Sequence, residues 1–353
     1  MSKCSLPKRT FSVSSDTLSP DVPKMAPPRR ILVTGAGGFI GSHVTQLLLQ
    51  EGHHVRAMAR YNGRGDIGHL RDVPQSLRTR LEVRLGDITD PFLVTDLIAG
   101  CEIVLHLAAL IGIPYSYVAP ASYFATNAGG TLNVLEACRK ANISRIVVTS
   151  TSEVYGTAVY TPIDEQHPLQ GQSPYSASKI AADKLAEAYY CSFDLPLVTL
   201  RPFNTYGPRQ SARAVIPTIL TQAFKGAEQI ELGNLAPRRD LTFVTDTARA
   251  FALAATASGI DGETIHFGQG SAVSVAELAE LCLEAAGRTA TVLSVNSRSR
   301  PQKSEVGLLL SDPTKAKKLL GWSPEVSLVE GIRETARYVR AHLEHYHAEG
   351  YII

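Results

Sequence analysis

From Arg30 onward the chain alternates short, wholly apolar runs with longer segments whose apolar residues recur at helical spacing. Ile31-Leu32-Val33 is the first run; a glycine-rich turn follows, and then Ile40, Val44, Leu47 and Leu48 mark one face of a helix. Further apolar runs at 55–58, 81–85, 103–107, 146–148 and 197–200 are separated by segments long enough for helices. Strands buried on both faces and alternating with helices predict an α/β fold with a doubly wound parallel (Rossmann) sheet. After Pro208 the rhythm weakens. Helical patterns at 215–224, 275–286 and 328–343 are interspersed with strand-like runs at 241–244 and 264–267. The predicted division is a dinucleotide-binding domain of residues 29–205 and 240–269, with the strand near 264 returning to the main sheet, and a smaller, discontinuous substrate-binding domain of 206–239 and 270–347. Residues 1–28 are rich in Ser, Pro and charge, have neither period, and read as a disordered leader. A transit peptide or translation from Met25 are the two readings of it.

Composition narrows the partner. The 353 residues leave room for two domains of about 150. Lys+Arg 35 against Asp+Glu 33 offers no electrostatic footprint for nucleic acid or a membrane surface, so a small molecule is expected. The excess of +2 sits in the leader, where Lys3, Lys8, Arg9 and Lys24 face Asp16 and Asp21. Cys4, Cys101, Cys138, Cys191 and Cys282 are widely spaced and odd in number, which suggests neither a disulfide framework nor a zinc site and fits the reducing cytoplasm. No apolar run reaches the roughly 18 residues that span a bilayer.

The turn between the first strand and first helix carries candidate chemistry. In Thr34-Gly35-Ala36-Gly37-Gly38-Phe39-Ile40-Gly41 the spacing of Gly35, Gly38 and Gly41 allows a tight turn and close approach of a pyrophosphate to the helix N-terminus. A dinucleotide cofactor is therefore expected, contacted by Gly35, Gly38, Phe39, Ile40 and Gly41. The end of the second strand lacks the carboxylate that accepts from a ribose 2′-OH. Arg60 stands there instead, able to pair with a 2′-phosphate or stack on adenine, or simply a surface residue after a strand; the expected cofactor is NAD or NADP, with the tilt toward NADP. Asp87, after the third strand, is a candidate for the adenine end or a helix N-cap.

Tyr175 and Lys179 are spaced i, i+4 and share a helix face. A phenol with an ordinary pKa near 10 is a poor base at neutral pH, and a neighbouring ammonium together with a positive nicotinamide is expected to lower it. The fifth strand ends in Thr149-Ser150-Thr151-Ser152-Glu153, placing hydroxyls where such sheets bind ligands. Thr151 is the candidate to hold the substrate oxygen facing Tyr175.

With these residues in order, the chain resembles the extended short-chain dehydrogenase/reductase family in its nucleotide-sugar 4,6-dehydratase and epimerase branch. The likeness runs from about residue 30 to 338 and includes TGAGGFIG at 34–41, GDITD at 86–90, HLAA at 106–109, NAGGTLNVLEA at 127–137, YSASK at 175–179, RPFNTYGPRQ at 201–210, RRDLTFVTD at 238–246 and LGW at 320–322. The longer stretches around EVYGTA, HPLQGQSPYSASK and RPFNTYGPRQSARAVIPT look closest to dehydratases of nucleotide-linked N-acetylglucosamine of the legionaminic-acid type.

The resemblance implies that Tyr175 takes the proton of the sugar C4 hydroxyl while hydride leaves C4, that Glu153 then removes H5, and that loss of the C6 hydroxyl and hydride return to C6 complete a redox-neutral 4,6-dehydration. It adds Ile88, Leu107, Ala108 and Ala109 to the cofactor contacts, with Tyr175 and Lys179 shared. Asn204, Arg239 and Arg300 become contacts to the nucleotide diphosphate; Arg298, Arg209 and Arg238 are available by type. A homodimer through the helices at 131–140 and 175–190 is implied as well. One departure matters: where dTDP-glucose 4,6-dehydratases carry an acidic proton donor, this chain has Ser152, a poor acid.

The expected activity is thus a nucleotide-sugar 4,6-dehydratase on UDP- or GDP-N-acetylglucosamine. A 4-epimerase, or a 5,6-dehydratase with hydride returned to C4, is the enzymatic alternative. A non-catalytic, cofactor-sensing protein is the alternative of another class. His106 reads as either a site group or a hydrogen-bonded structural residue, and His342, His345 and His347 read as a solvated helix end rather than a metal site.

Overall fold

A computed structural model describes residues 27–295, 298 and 301–346. The leader, apart from its last two residues, and Arg300 and His347 lie outside them.

Seven strands form one parallel sheet: β1 (Arg30–Thr34), β2 (His54–Arg60), β3 (Leu81–Gly86), β4 (Ile103–His106), β5 (Arg145–Thr149), β6 (Leu197–Pro202) and β10 (Thr264–Phe267), in the spatial order β10-β6-β5-β4-β1-β2-β3. The strand period of two sorts the apolar runs between the faces. Ile31, Val33, Leu105 and Val147 enter one core, whereas Leu32, Val104, Ile146 and Val148 enter the other. The first core is covered by α1 (Phe39–Gln50) and α8 (Val244–Thr256), the second by α2 (Pro91–Ile98), α5 (Gly130–Ala141) and α6 (Pro174–Phe193). Between β4 and α5 the chain forms α3 (Ile113–Val118), α4 (Pro120–Tyr123) and a π-helical segment, Phe124–Gly129. Strand order reverses between β1 and β4, and there the connections leave toward opposite faces, opening a crevice at the carboxyl ends.

The smaller part is built around β9 (Arg238–Phe243), which pairs with β7 (Asn204–Tyr206), β11 (Ala272–Ser274) and β13 (Leu308–Leu309). A second pair, β8 (Gln229–Leu232) with β12 (Thr291–Ser294), and helices α7 (Val215–Phe224), α9 (Val275–Ala286) and α11 (Leu328–Ala341) enclose a third core.

Two boundaries differ from the sequence expectation. β9 begins in the smaller sheet, so the segment that rejoins the main body starts at α8 and not at residue 240. The stretch from α10 (Thr314–Leu320) to Trp322 leaves the smaller part: Ala316, Leu320 and Trp322 belong to the main core. Trp322 is fully buried beside Phe267, with its Nε1 donating to the Asp246 carbonyl at 2.9 Å. A local apolar pattern marks which face of a short helix is buried, but not which distant surface will cover it. Truncation of so large a buried ring leaves a cavity, and Trp322→Ala should lower unfolding stability by about 3–5 kcal/mol in a urea titration.

Candidate active site

A cleft of about 940 Å³ opens at the carboxyl ends of the main strands, bounded on its far side by the smaller part. Its lining brings together every sequence-predicted site residue among the described ones: Gly35, Gly38, Phe39, Ile40, Gly41, Arg60, Asp87, Ile88, Leu107, Ala108, Ala109, Thr151, Ser152, Glu153, Tyr175, Lys179, Asn204 and Arg239. Residues as far apart in sequence as Gly35 and Arg239 thus face one space.

The glycine turn has the shape a pyrophosphate needs. Gly35 has φ +70°, and a Cβ there would lie 2.8 Å from the Ala108 nitrogen; at Gly41 it would lie 2.2 Å from the Gly35 carbonyl oxygen. Side chains are thereby excluded from the turn, and the first N–H groups of α1 have no intrahelical acceptor. The loop after β2 folds over this turn, a feature the glycine spacing does not reveal. His69 N donates to the Gly37 carbonyl at 3.0 Å, and Asn62 ties the loop by accepting from Arg64 N and Asp66 N. Asn62, Asp66, Ile67 and Gly68 join the lining. Their sequence signal was the Asn-Gly turn chemistry following the strand.

After β3, Asp87 accepts from Thr89 N and Oγ1 at 2.9 and 2.8 Å, and these bonds hold its carboxyl below the usual range, with the nearby Arg60 cation helping. The N-cap of α2 is Asp90, not Asp87.

The catalytic helix starts where its sequence dictates. Ser173 and Ser176 form a capping box, Pro174 occupies the first turn, and Tyr175 follows at once. Its ring lies edge-on to Tyr123 with centroids 6.2 Å apart and is buried. Lys179 Nζ donates to the Thr149 carbonyl. Thr151 caps the short turn Ser152–Tyr155, accepting from Glu153 N at 3.2 Å, which sets half-buried Glu153 at the cleft wall and buries Ser152.

Burial dominates the electrostatics of the pair. Burial pushes the Tyr175 phenol up, opposed by hydrogen bonding from Thr151, and burial pulls Lys179 down to about 8, opposed by Asp183. Desolvation disfavours the charged form of both groups, the phenolate of one and the ammonium of the other.

A buried polar chain joins the cradle to the catalytic helix. Thr131 Oγ1 donates to the Asn127 carbonyl at 2.6 Å and so accepts from His106 Nε2 at 3.1 Å; His106 Nδ1 then accepts from Thr34 Oγ1 at 2.9 Å. Asn127 Nδ2 donates to Ser178 Oγ, and Ser178 Oγ donates to the Tyr175 carbonyl. His106 is therefore the structural residue of the two readings. Asn127 was quoted within a motif yet given no role; only its contacts across the π-helical segment reveal one.

In the smaller part, the Asn204 Oδ1 is buried with no hydrogen-bond partner among the described residues, in keeping with a ligand at this wall. Arg239 pairs with Glu305 at 3.6 Å, and Arg298 with Glu231 at 3.6 Å. Arg209 contacts Gln46 and Asp72, and Arg238 contacts Glu277; neither is part of the cleft lining.

The glycine turn, tyrosine–lysine pair and strand-end hydroxyls in one crevice define a dinucleotide-dependent enzyme site. The family described as GDP-mannose 4,6 dehydratase matches residues 32–335, and the chain belongs to it. It is 36% identical over 317 residues to a dTDP-glucose 4,6-dehydratase of Actinoplanes sp., covering 88% of this chain and 98% of that protein. It is 33% identical to a UDP-glucose 4-epimerase of Mycolicibacterium smegmatis, with 88% and 98% covered. Among solved structures, UDP-glucuronic acid 4-epimerase from Bacillus cereus, in complex with UDP-glucuronic acid and NAD, superposes with a TM-score of 0.81 at 30% identity, covering 88% and 99%. The protein is an enzyme of the NAD-dependent nucleotide-sugar dehydratase and epimerase group.

Burial holds His43 near 4 and His106 near 3, below the ordinary 6.5. Both stay neutral in the fold but gain a proton on unfolding below pH 6.5, so stability is lost as pH falls from 6.5 toward these values. Between pH 7 and 5 each should remove about 2 kcal/mol, visible as a falling urea midpoint. A midpoint constant over that range would contradict the assignment.

Proposed function

We propose that this enzyme is a 4,6-dehydratase of UDP- or GDP-linked N-acetylglucosamine. The carrying observation is that Tyr175, Thr151 and Glu153 line one cleft with the glycine cradle. A dinucleotide held at Gly35, Gly38 and Gly41 with its nicotinamide toward Tyr175 would supply a hydride acceptor for C4 and a hydride donor for C6. The side chains do the rest. Thr151 holds the C4 oxygen, Tyr175 takes its proton, and Lys179 balances the phenolate. Glu153 removes the proton at C5, made acidic by the C4 ketone, and passes it to the C6 oxygen oriented by Ser152, which departs as water; the proton taken up by Tyr175 is returned through solvent to C5 as hydride reaches C6. Asn204 and Arg239 hold the nucleotide diphosphate, with Arg300 as a further contact from the sequence pattern. The cofactor belongs to 29–205 and the segment from α8 through β10, and the nucleotide sugar to the smaller part.

The second reading is 4-epimerisation. It is favoured by Ser152 in the place of an acidic donor and by the 4-epimerases among the relatives. Product mass separates the two: after incubation with UDP- or GDP-N-acetylglucosamine, dehydration removes one water from the sugar, whereas epimerisation leaves the mass unchanged. Glu153→Gln should reduce dehydration at least 100-fold, while an epimerase would keep most of its rate.

The cofactor we propose is NAD, in place of the NADP suggested by Arg60 alone. Asp87 lies within electrostatic reach of that arginine, so its cation is already partly balanced, and the Bacillus cereus relative is described with NAD. Mass analysis of the dinucleotide released on denaturation should give NAD; recovery of NADP would restore the reading from Arg60. A homodimer through α5 and α6 is proposed too, supported by exposed Phe124, Leu132 and Phe193 on and beside these helices.

A further inference from the structure

Asp183 lies one helical turn beyond Lys179 on α6 and is 4% exposed. Its Oδ2 accepts from Ser150 Oγ at 2.8 Å and from Arg201 Nε at 3.0 Å. Its Oδ1 is shut off from solvent and has no hydrogen-bond partner among the described residues. A buried carboxylate with half its acceptor capacity unused is costly unless it stabilises charge nearby. On one side that charge is Arg201, which also serves a second network. Arg201 Nη1 donates to the Tyr155 hydroxyl at 3.2 Å, Tyr155 donates to His266 Nδ1 at 3.0 Å, and His266 Nε2 donates to the Asp312 carbonyl at 2.8 Å. The carbonyl can only accept, so each proton in this relay has one direction and Arg201 remains a full cation. On the other side the neighbour is Lys179.

We propose that Asp183 is a positioning residue of the active site: through Ser150 it fixes the end of β5, where the Thr149 carbonyl holds Lys179 and Thr151 meets Tyr175, and its charge holds Lys179 as the ammonium while Tyr175 acts as base. The other titratable groups around the pair are Glu153 from the turn after β5, His106 from β4 and Tyr123 from α4; Arg201 from β6 reaches it through Asp183. His106 is neutral, and Glu153 and Tyr123 act on Tyr175. Asp183 is the charge that favours the Lys179 ammonium, and its effect on the phenol ranks below those of Glu153 and Tyr123. An anion set closer to the cation than to the phenolate stabilises the reactive ion pair over its neutral form.

The proposal rests on Tyr175 and Lys179 being the acid–base pair, and the experiment separates the two. Cofactor-loaded Asp183→Asn is assayed on the UDP- or GDP-N-acetylglucosamine that the wild type turns over. The alkaline limb of kcat, where Lys179 loses its proton, should move down by about one pH unit. KM should change less than about threefold, and Asp183→Glu should return the limb toward its original position. A purely structural Asp183 would lower kcat equally at every pH with the limb unmoved, which overturns the proposal. Should Asp183→Asn fail to fold, Ser150→Ala leaves the carboxylate but frees it from β5. A fall in kcat of at least about fivefold with an unmoved limb is then expected, and full activity overturns the clamp. Tyr175→Phe is the control: if it is active, the underlying reading fails; if it is inactive while the Asp183→Asn limb stays put, only the present inference fails.

Discussion

The end of β1 carries the constraint on which the rest of the site depends. Thr34 Oγ1 accepts from both Leu107 N and Ala108 N at 3.1 Å, pinning the chain leaving β4 against the chain leaving β1. These are the two strands between which the order reverses, so a crevice is unavoidable there, and its width is set by how closely the two exits can approach. Gly35 permits that approach because a Cβ would collide with Ala108. The same threonine donates to His106, whose other nitrogen begins the path through Thr131 and Asn127 to Ser178 and Tyr175. Cradle and catalytic helix are thus held in one frame by a chain of satisfied buried polar groups, each costly to leave unpaired.

The site's electrostatics follow from the same burial. A tyrosine and a lysine sealed from water are both driven toward neutrality, which opposes the ion pair that proton abstraction needs. The fold answers with local charge rather than net charge. The chain is nearly neutral overall, yet Asp183 sits beside Lys179, Arg201 beside Asp183, and arginines of the smaller part face the cleft with carboxylates at hand. Arg239, which lines the cleft, has the Glu305 carboxylate at 3.6 Å.

Much of this was legible in the residues because each signal is local. Apolar runs of strand length, the glycine spacing after the first of them, the tyrosine and lysine one turn apart and the hydroxyls ending the fifth strand all depend on neighbours within a few positions. What the residues did not reveal depends on distance. Arg60 read alone suggests a 2′-phosphate, but Asp87 from the next strand stands near it. The spacing of Lys179 places it on the tyrosine's helix face, but does not reveal its bond to the Thr149 carbonyl of β5. Asp87 read alone offers an adenine-end contact or a helix cap, and the structure gives the cap to Asp90.

The sequence by itself determined the alternation of strand and helix, the place of the phosphate cradle and the residue types able to do the chemistry, since backbone conformation and side-chain period are short-range properties. Tertiary structure alone decided that Trp322 returns to the main core, that Arg209 braces α1 while Arg239 faces the cleft, that Asn127 connects two helices, and that Asp183 stands behind Lys179. Burial and charge proximity are sums over residues far apart in the chain, and they exist only once the sheet has brought those residues together.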